Sequence, residues 1–124
     1  MLGHLSFGIR DQDRSAAFYD ALLAPLGFVR VWTIQDGLGY GAPGGPDRLA
    51  LFVQSTDQPL AAGPGFHLAL RAPDQRSVEE AHAAGLANGG SCEGPPGIRA
   101  RYSPTYFAAF LRDPDGHKLE LVHQ

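Results

Sequence analysis

In HLSFGIR (4–10), Leu5, Phe7 and Ile9 alternate with His4, Ser6 and Gly8. This period of two predicts a strand with one apolar face. The period then lengthens. In DQDRSAAFYDALLAPLG (11–27), Phe18, Ala21 and Leu22 share one helical face. Asp13 is the expected N-cap, and Pro25 with Gly27 closes the helix. FVRVWTIQ (28–35), GLGYGA (37–42) and RLALFVQ (48–54) read as three short strands, with APGGPD (42–47) as the turn before the last.

The second half repeats this order. GFHLALRA (65–72) is a predicted strand, and DQRSVEEAHAAGLANGG (74–90) a helix capped by Asp74 and stopped by Gly89 and Gly90. SCEGPPGIRARYSP (91–104) reads as a loop before the strands YFAAFLR (106–112) and HKLELVH (117–123). HLSFGIRDQDRS (4–15) lies over HLALRAPDQRS (67–77) with one residue skipped, matching His-Leu, Asp-Gln and Arg-Ser. LALFVQ (49–54) lies over LELVHQ (119–124), matching both leucines and the final Gln. These ordered matches predict an α+β fold of tandem βαβββ modules. The expected division is module one at 1–57, a linker at 58–64 and module two at 65–124. A module of about 60 residues is marginal alone, so the two are expected to pack into one domain.

Composition narrows the function without choosing it. Hydrophobic residues make up 44% of the 124 and charged residues 19%, ordinary values for a soluble globular domain. The formal charge of −3 and ten scattered Lys and Arg residues argue against nucleic acid as a partner. The N-terminus lacks a signal-peptide pattern, and no apolar run approaches the roughly 20 residues that span a bilayer. A cytoplasmic protein without membrane partners is therefore expected. Cys92 is the single cysteine, which excludes an internal disulfide and a cysteine-built zinc site.

The repeat gives pattern to isolated residues. His4 and His67 are equivalent, each at the start of its module's first strand, while Glu120 is matched by Ala50 in the last strand. Modules paired about a pseudo-twofold axis would bring His4, His67 and Glu120 together. Two imidazoles and a carboxylate suit Fe, Zn, Ni or Cu and extend towards Mn, and leave positions open for water and substrate. Each residue also has a plainer reading: His4 at the surface, His67 satisfied in the core, and Glu120 facing solvent beside Lys118.

The opening HLSF…DRSAAFYDALLAPLGF, the second HLAL strand and the ending DPDGHKLEL resemble the vicinal-oxygen-chelate superfamily. That group includes glyoxalase I, extradiol dioxygenases, fosfomycin-modifying thiol transferases and bleomycin-resistance proteins. PGIRARYSPTYFAAFLRDPDGHKLE is similar to a branch of small bacterial glyoxalase-like proteins. The resemblance implies paired modules that curl as a mixed sheet around a barrel-like cavity. It also implies a divalent metal (Fe, Mn, Ni or Zn) on His4, His67 and Glu120, chelating neighbouring oxygens of a small-molecule substrate. A homodimer is expected, as in many relatives, some of which build each site from two chains. Glyoxalase I carries a carboxylate where this chain has Ala50, which argues against ordinary lactoylglutathione lyase activity.

The expected function is a metal-dependent glyoxalase- or dioxygenase-like enzyme acting on a small oxygen-rich or aromatic molecule. Glu120, Tyr102 and Tyr106 are its candidate catalytic groups, although Tyr106 also reads as a packed aromatic. Trp32, Tyr40, Phe52 and Arg101 are candidate substrate contacts, with core packing the alternative for the three aromatics. A thiol transferase of the fosfomycin type would draw on Arg99, Arg101 and Arg112, but the extended ion-binding loop of that branch is missing. The non-enzymatic alternative is a bleomycin-resistance-like binding protein. His82, His117, His123 and Cys92 receive structural readings only. No GxSxG elbow is present, and GAPGGPD lacks the Lys-Ser/Thr and helix of a phosphate loop.

Overall fold

The computed structural model describes all 124 residues. In the first half, β1 (Leu5–Ile9) leads into α1 (Gln12–Leu23), followed by β2 (Val29–Ile34), β3 (Gly37–Gly41) and β4 (Leu49–Val53). In the second, β5 (Leu68–Arg71) leads into α2 (Gln75–Ala87), followed by β6 (Ser91–Ile98), β7 (Phe107–Arg112) and β8 (Lys118–His123). Each half is thus a βαβββ module. Its last strand lies beside its first in parallel, giving the orders β1-β4-β3-β2 and β5-β8-β7-β6. The other neighbours are antiparallel, so both sheets are mixed.

Two local expectations change. Asp11, not Asp13, caps α1, its carboxylate accepting the Arg14 N–H at 2.9 Å from an extended backbone. The cap bonds the amide three residues on, and Asp13 instead places its charge in the first turn, where the helix dipole favours it. Asp74 caps α2 as expected, through the Ser77 N–H at 2.7 Å. The second change is SCEGPPGIRARYSP, whose first eight residues form β6 rather than a loop. Pro95 and Pro96 lack an N–H, but β6 is an edge strand and slips register between Gly94 and Gly97 around them. Prolines are tolerated at such edges and bulges, and the apolar pattern alone concealed the strand.

The register reproduces the sequence repeat. Ser6 pairs with Ala50 and Ala69 with Glu120, and His4 and His67 lie two residues before these partners. Leu5, Phe7, Ile9, Leu49 and Leu51 turn inward from the first sheet, as do Leu68, Leu70, Leu119 and Leu121 from the second. Both helices fill the space between. α1 contacts β2 and β3, α2 contacts β6, β7 and β8, and the helices pack on each other. Phe18, Leu22, Val78 and Ala81 join this common core. Each large side chain so buried contributes about 1.5–3 kcal/mol. The opposite face of each sheet is turned away from the helices, and neither sheet closes on itself. No helix is long and apolar enough to cross a membrane.

A polar clip fixes one half on the other. Asp113 is buried at the β7–β8 turn and accepts the Tyr19 hydroxyl at 2.6 Å and the Asp115 and His117 amides at 2.9 Å. His117 donates from Nε2 to the Gly8 carbonyl at 2.7 Å, and Arg14 pairs with Asp115 at 2.7 Å. The DPDGH turn is therefore anchored on β1 and α1 of the other module. Burial pushes the Asp113 carboxyl above its ordinary value, against the opposing pull of the Tyr19 hydroxyl and His117. Burial, then Asp113, raises the Tyr19 phenol well above its own.

Candidate functional site

Glu120 occupies β8 between Leu119 and Leu121, which face the core, so its side chain points to the outer face of the second sheet. It is nonetheless only 3% exposed. His67 Nε2 lies 3.0 Å from Oε1, and Tyr106 donates its hydroxyl to Oε2 at 2.5 Å. Phe110 is its cross-strand neighbour on β7. A buried carboxylate requires such partners, because desolvation otherwise costs several kcal/mol. Burial, reinforced by the bond to Glu120, pushes the Tyr106 phenol up to about 12, so it keeps its proton and acts as a donor.

These groups open into a cleft of about 650 Å³. Tyr102 and Arg101 stand at its mouth, the Arg101 Nη2 3.0 Å from the Tyr102 hydroxyl. Tyr102 is 56% exposed and its ring lies 5.0 Å from that of Tyr106. Sequence reasoning did not single out Phe110 or Lys118 as parts of this site. Lys118 was legible through its spacing of two from Glu120. Phe110 becomes a neighbour only through the β7–β8 register, which the sequence does not state.

The corresponding face of the first sheet is different. His4 is exposed and lines a separate apolar cleft of about 190 Å³ between β1 and β5, with Leu5, Leu49, Leu68 and Leu70. It does not join His67 and Glu120, and no three His, Cys, Asp or Glu side chains gather as a metal-binding group within the chain. Ala50 is 3% exposed. Trp32 and Phe52 stand with ring centroids 5.9 Å apart on this sheet, away from the Glu120 cleft. Gly39 permits that wall, because a Cβ there would collide with the indole of Trp32. Tyr40 stands apart from the Glu120 cleft, in the core against the apolar cleft that borders His4. It pairs with Leu49 on the inward face, is 1% exposed, and donates its hydroxyl to Asp20 at 2.8 Å. Arg112 bonds Glu93 and the Gly116 carbonyl. Cys92 is exposed and unpaired.

Residues 1–121 match the family model described as the Glyoxalase/Bleomycin resistance protein/Dioxygenase superfamily. The chain belongs to this superfamily. A glyoxalase/bleomycin resistance protein from Albidiferax ferrireducens T118 is 36% identical, covers 98% of this chain and 97% of its own, and superposes with a TM-score of 0.83. The bleomycin resistance determinant encoded on transposon Tn5 is 26% identical over 96% of this chain and 93% of its own, with a TM-score of 0.63. A glyoxalase I variant from Zea mays is 25% identical with a TM-score of 0.70, and this superfamily domain spans 44% of that chain. No functionally curated protein matches the sequence.

Proposed function

We propose that the protein is a metal-dependent enzyme of the glyoxalase and dioxygenase type, with His67 and Glu120 of one chain and His4 of a second chain holding a divalent cation. The observation that carries this reading is the buried Glu120 carboxylate beside His67 at the base of an open polar cleft. An imidazole nitrogen and a carboxylate oxygen suit Fe, Mn, Ni or Zn. Within one chain the set stops at two donors, and His4 stands apart on the other sheet. The two sheets are related by the repeat. Both β1 and β5 are edge strands, and the apolar cleft between them borders His4. A homodimer that sets the first sheet of one chain against the second sheet of its partner supplies the missing imidazole and covers those apolar edges.

When bound there, the cation supplies Lewis-acid polarisation of two neighbouring substrate oxygens. The chain's own residues do the remaining work. Tyr106 holds its proton at Oη and fixes Glu120 Oε2, so Oε1, on the His67 side, is the oxygen available for coordination. With that one proton given to Glu120, the phenol oxygen is left to accept a hydrogen bond from a substrate hydroxyl in the cleft. Trp32 and Phe52 provide an aromatic wall on the facing sheet. With alanine at position 50, only Glu120 among the four repeat-related positions can carry a proton as a carboxylate. A proton shuttle between two such carboxylates, as in an ordinary lactoylglutathione lyase, is therefore not proposed.

Elemental analysis of protein purified without chelator tests the reading. The expected result is stoichiometric metal, lost in both His4→Ala and Glu120→Ala. Mixing these two variants should restore one intact site in each heterodimer, which a site contained in one chain would not do. A second reading has its own support: His67 and Tyr106 already satisfy Glu120 without a cation, as an organic-molecule binder of the bleomycin-resistance kind requires. Protein that stays metal-free after reconstitution with each of the four metals would decide for that binder.

A further inference from the structure

Three cations stand in the Glu120 cleft without carboxylate partners. The chain's ion pairs are Arg14–Asp115, Arg30–Asp20, His67–Glu120, Arg76–Glu80 and Arg112–Glu93, which leaves six of the ten Lys and Arg residues unpaired, Arg99, Arg101 and Lys118 among them. All three line the cleft, where the two carboxylates already have other partners: Glu120 has His67 and Tyr106, and Glu93 has Arg112. This concentration of positive charge runs against the net −3 of the chain.

Arg99 is also held in place. Its Nη1 donates to the Gly97 carbonyl at 3.0 Å and its Nη2 to the Pro95 carbonyl at 2.8 Å, folding the guanidinium back over β6. Gly94 and Gly97 form the bed for it, since Cβ atoms there would lie 3.2 and 3.3 Å from its terminal nitrogens. Its Cζ lies 5.7 Å from the Phe110 ring centroid, and Lys118 Nζ lies 5.5 Å from the same centroid. The His67 ring meets that phenyl edge-on at 5.8 Å. A guanidinium with five donors, two of them spent on carbonyls, keeps a fixed fork for an oxyanion.

We propose that this cleft binds an anionic substrate, with an oxyanion seated on Arg99 and Lys118 around Phe110. The assignment rests on the site reading above and names its substrate class. Carboxylate and phosphonate share the required chemistry, and the choice between them is left to the measurement.

Calorimetric titrations with benzoate, phenylphosphonate and neutral benzamide, at low salt and with and without Mn²⁺, provide the test. At least one anion is expected to bind about tenfold or more tightly than benzamide, as a charge-assisted contact implies. Arg99→Gln and Lys118→Gln should each erase most of that preference, whereas Arg76→Gln, on an exposed helix, should not. Melting curves confirm that each variant folds. Equal binding of anions and benzamide, or an anion preference unchanged in Arg99→Gln and Lys118→Gln, overturns the proposal. An anion preference retained with no effect of Mn²⁺ supports the anion subsite and tells against the metal alone.

Discussion

The two modules share a backbone plan and differ in what they present on it. Ala50 and Glu120 hold the same register position, each opposite the residue two places beyond the module's leading histidine. Around Ala50 the wall is aromatic, built from Trp32 and Phe52 over a glycine-lined strand. Around Glu120 it is polar and cationic. The inward faces of both sheets stay apolar because they build one common core. Residues on the outer faces carry no such packing constraint, so one wall can hold reactive groups while its counterpart becomes a platform. The turns diverge as well. DPDGH of the second module clips the halves together, while APGGPD of the first has no equivalent network.

That asymmetry of the turns gives the largest expected effect on stability. Asp113→Ala removes the acceptor for the Tyr19 hydroxyl and for two amides at a buried site. Orphaned buried donors cost about 1–3 kcal/mol each before relaxation and water entry, so a net loss of about 2–4 kcal/mol is expected. Asp47→Ala, in the first module's turn, should change stability by no more than about 0.5 kcal/mol, because Asp47 anchors nothing comparable. Urea unfolding of both variants measures the difference. Equal losses would show that the turns are energetically equivalent and that the clip does not bind one half to the other.

The repeat was legible because hydrophobic period and cap chemistry are local. HLSF and HLAL, the Asp74 cap and the paired LALFVQ and LELVHQ predicted both sheets and most element types. β6 was not legible, since Pro95 and Pro96 mark a loop by every local rule, and only its edge position next to β7 makes them tolerable. The inward position of Tyr40 was hidden for a related reason. Alternation states that neighbouring residues face opposite ways, but the pairing with Leu49 decides which face is the core. In the site, His67, Glu120, Tyr106, Tyr102 and Arg101 do line one cleft. His4 is separated from them because the equivalence of two modules says nothing about whether they meet within one chain.

Giving the first wall the carboxylate of the second sharpens the comparison further. Ala50→Glu puts a carboxylate opposite Ser6, as Glu120 stands opposite Ala69 in the second sheet. If the two walls face each other across a dimer, the added oxygen ligand should tighten Mn²⁺ binding by about tenfold, since affinity follows the charge and number of oxygen ligands. Calorimetry with Mn²⁺ reads this directly, with a melting curve to confirm that the variant is folded. An unchanged affinity in a folded variant would mean that the first wall does not border the cation.

The smallest effect concerns the helices. Tyr19 and His82 occupy the same place in α1 and α2, eight positions after their aspartate caps, and both are buried. Tyr19 gives its hydroxyl to Asp113, whereas His82, 6% exposed, leaves Nε2 without a partner. Burial therefore lowers the His82 pKa below the ordinary imidazole value, opposed by a backbone contact at Phe110. Between the two values the unfolded chain binds more protons than the native one, so native stability falls as the pH drops. The contribution is fully present above the unfolded value of about 6.5 and is lost as the pH falls through the depressed native one. His82→Leu removes this term. Asp113 titrates in both proteins, with its raised pKa acting in the opposite direction, and cancels in the difference between them. Unfolding free energies of wild type and His82→Leu, taken from pH 8 down to pH 5, should therefore diverge on the acid side in favour of the variant. Parallel curves would show that the second helix tolerates a charged imidazole where the first holds a satisfied tyrosine, and that the two helices do not differ in this respect.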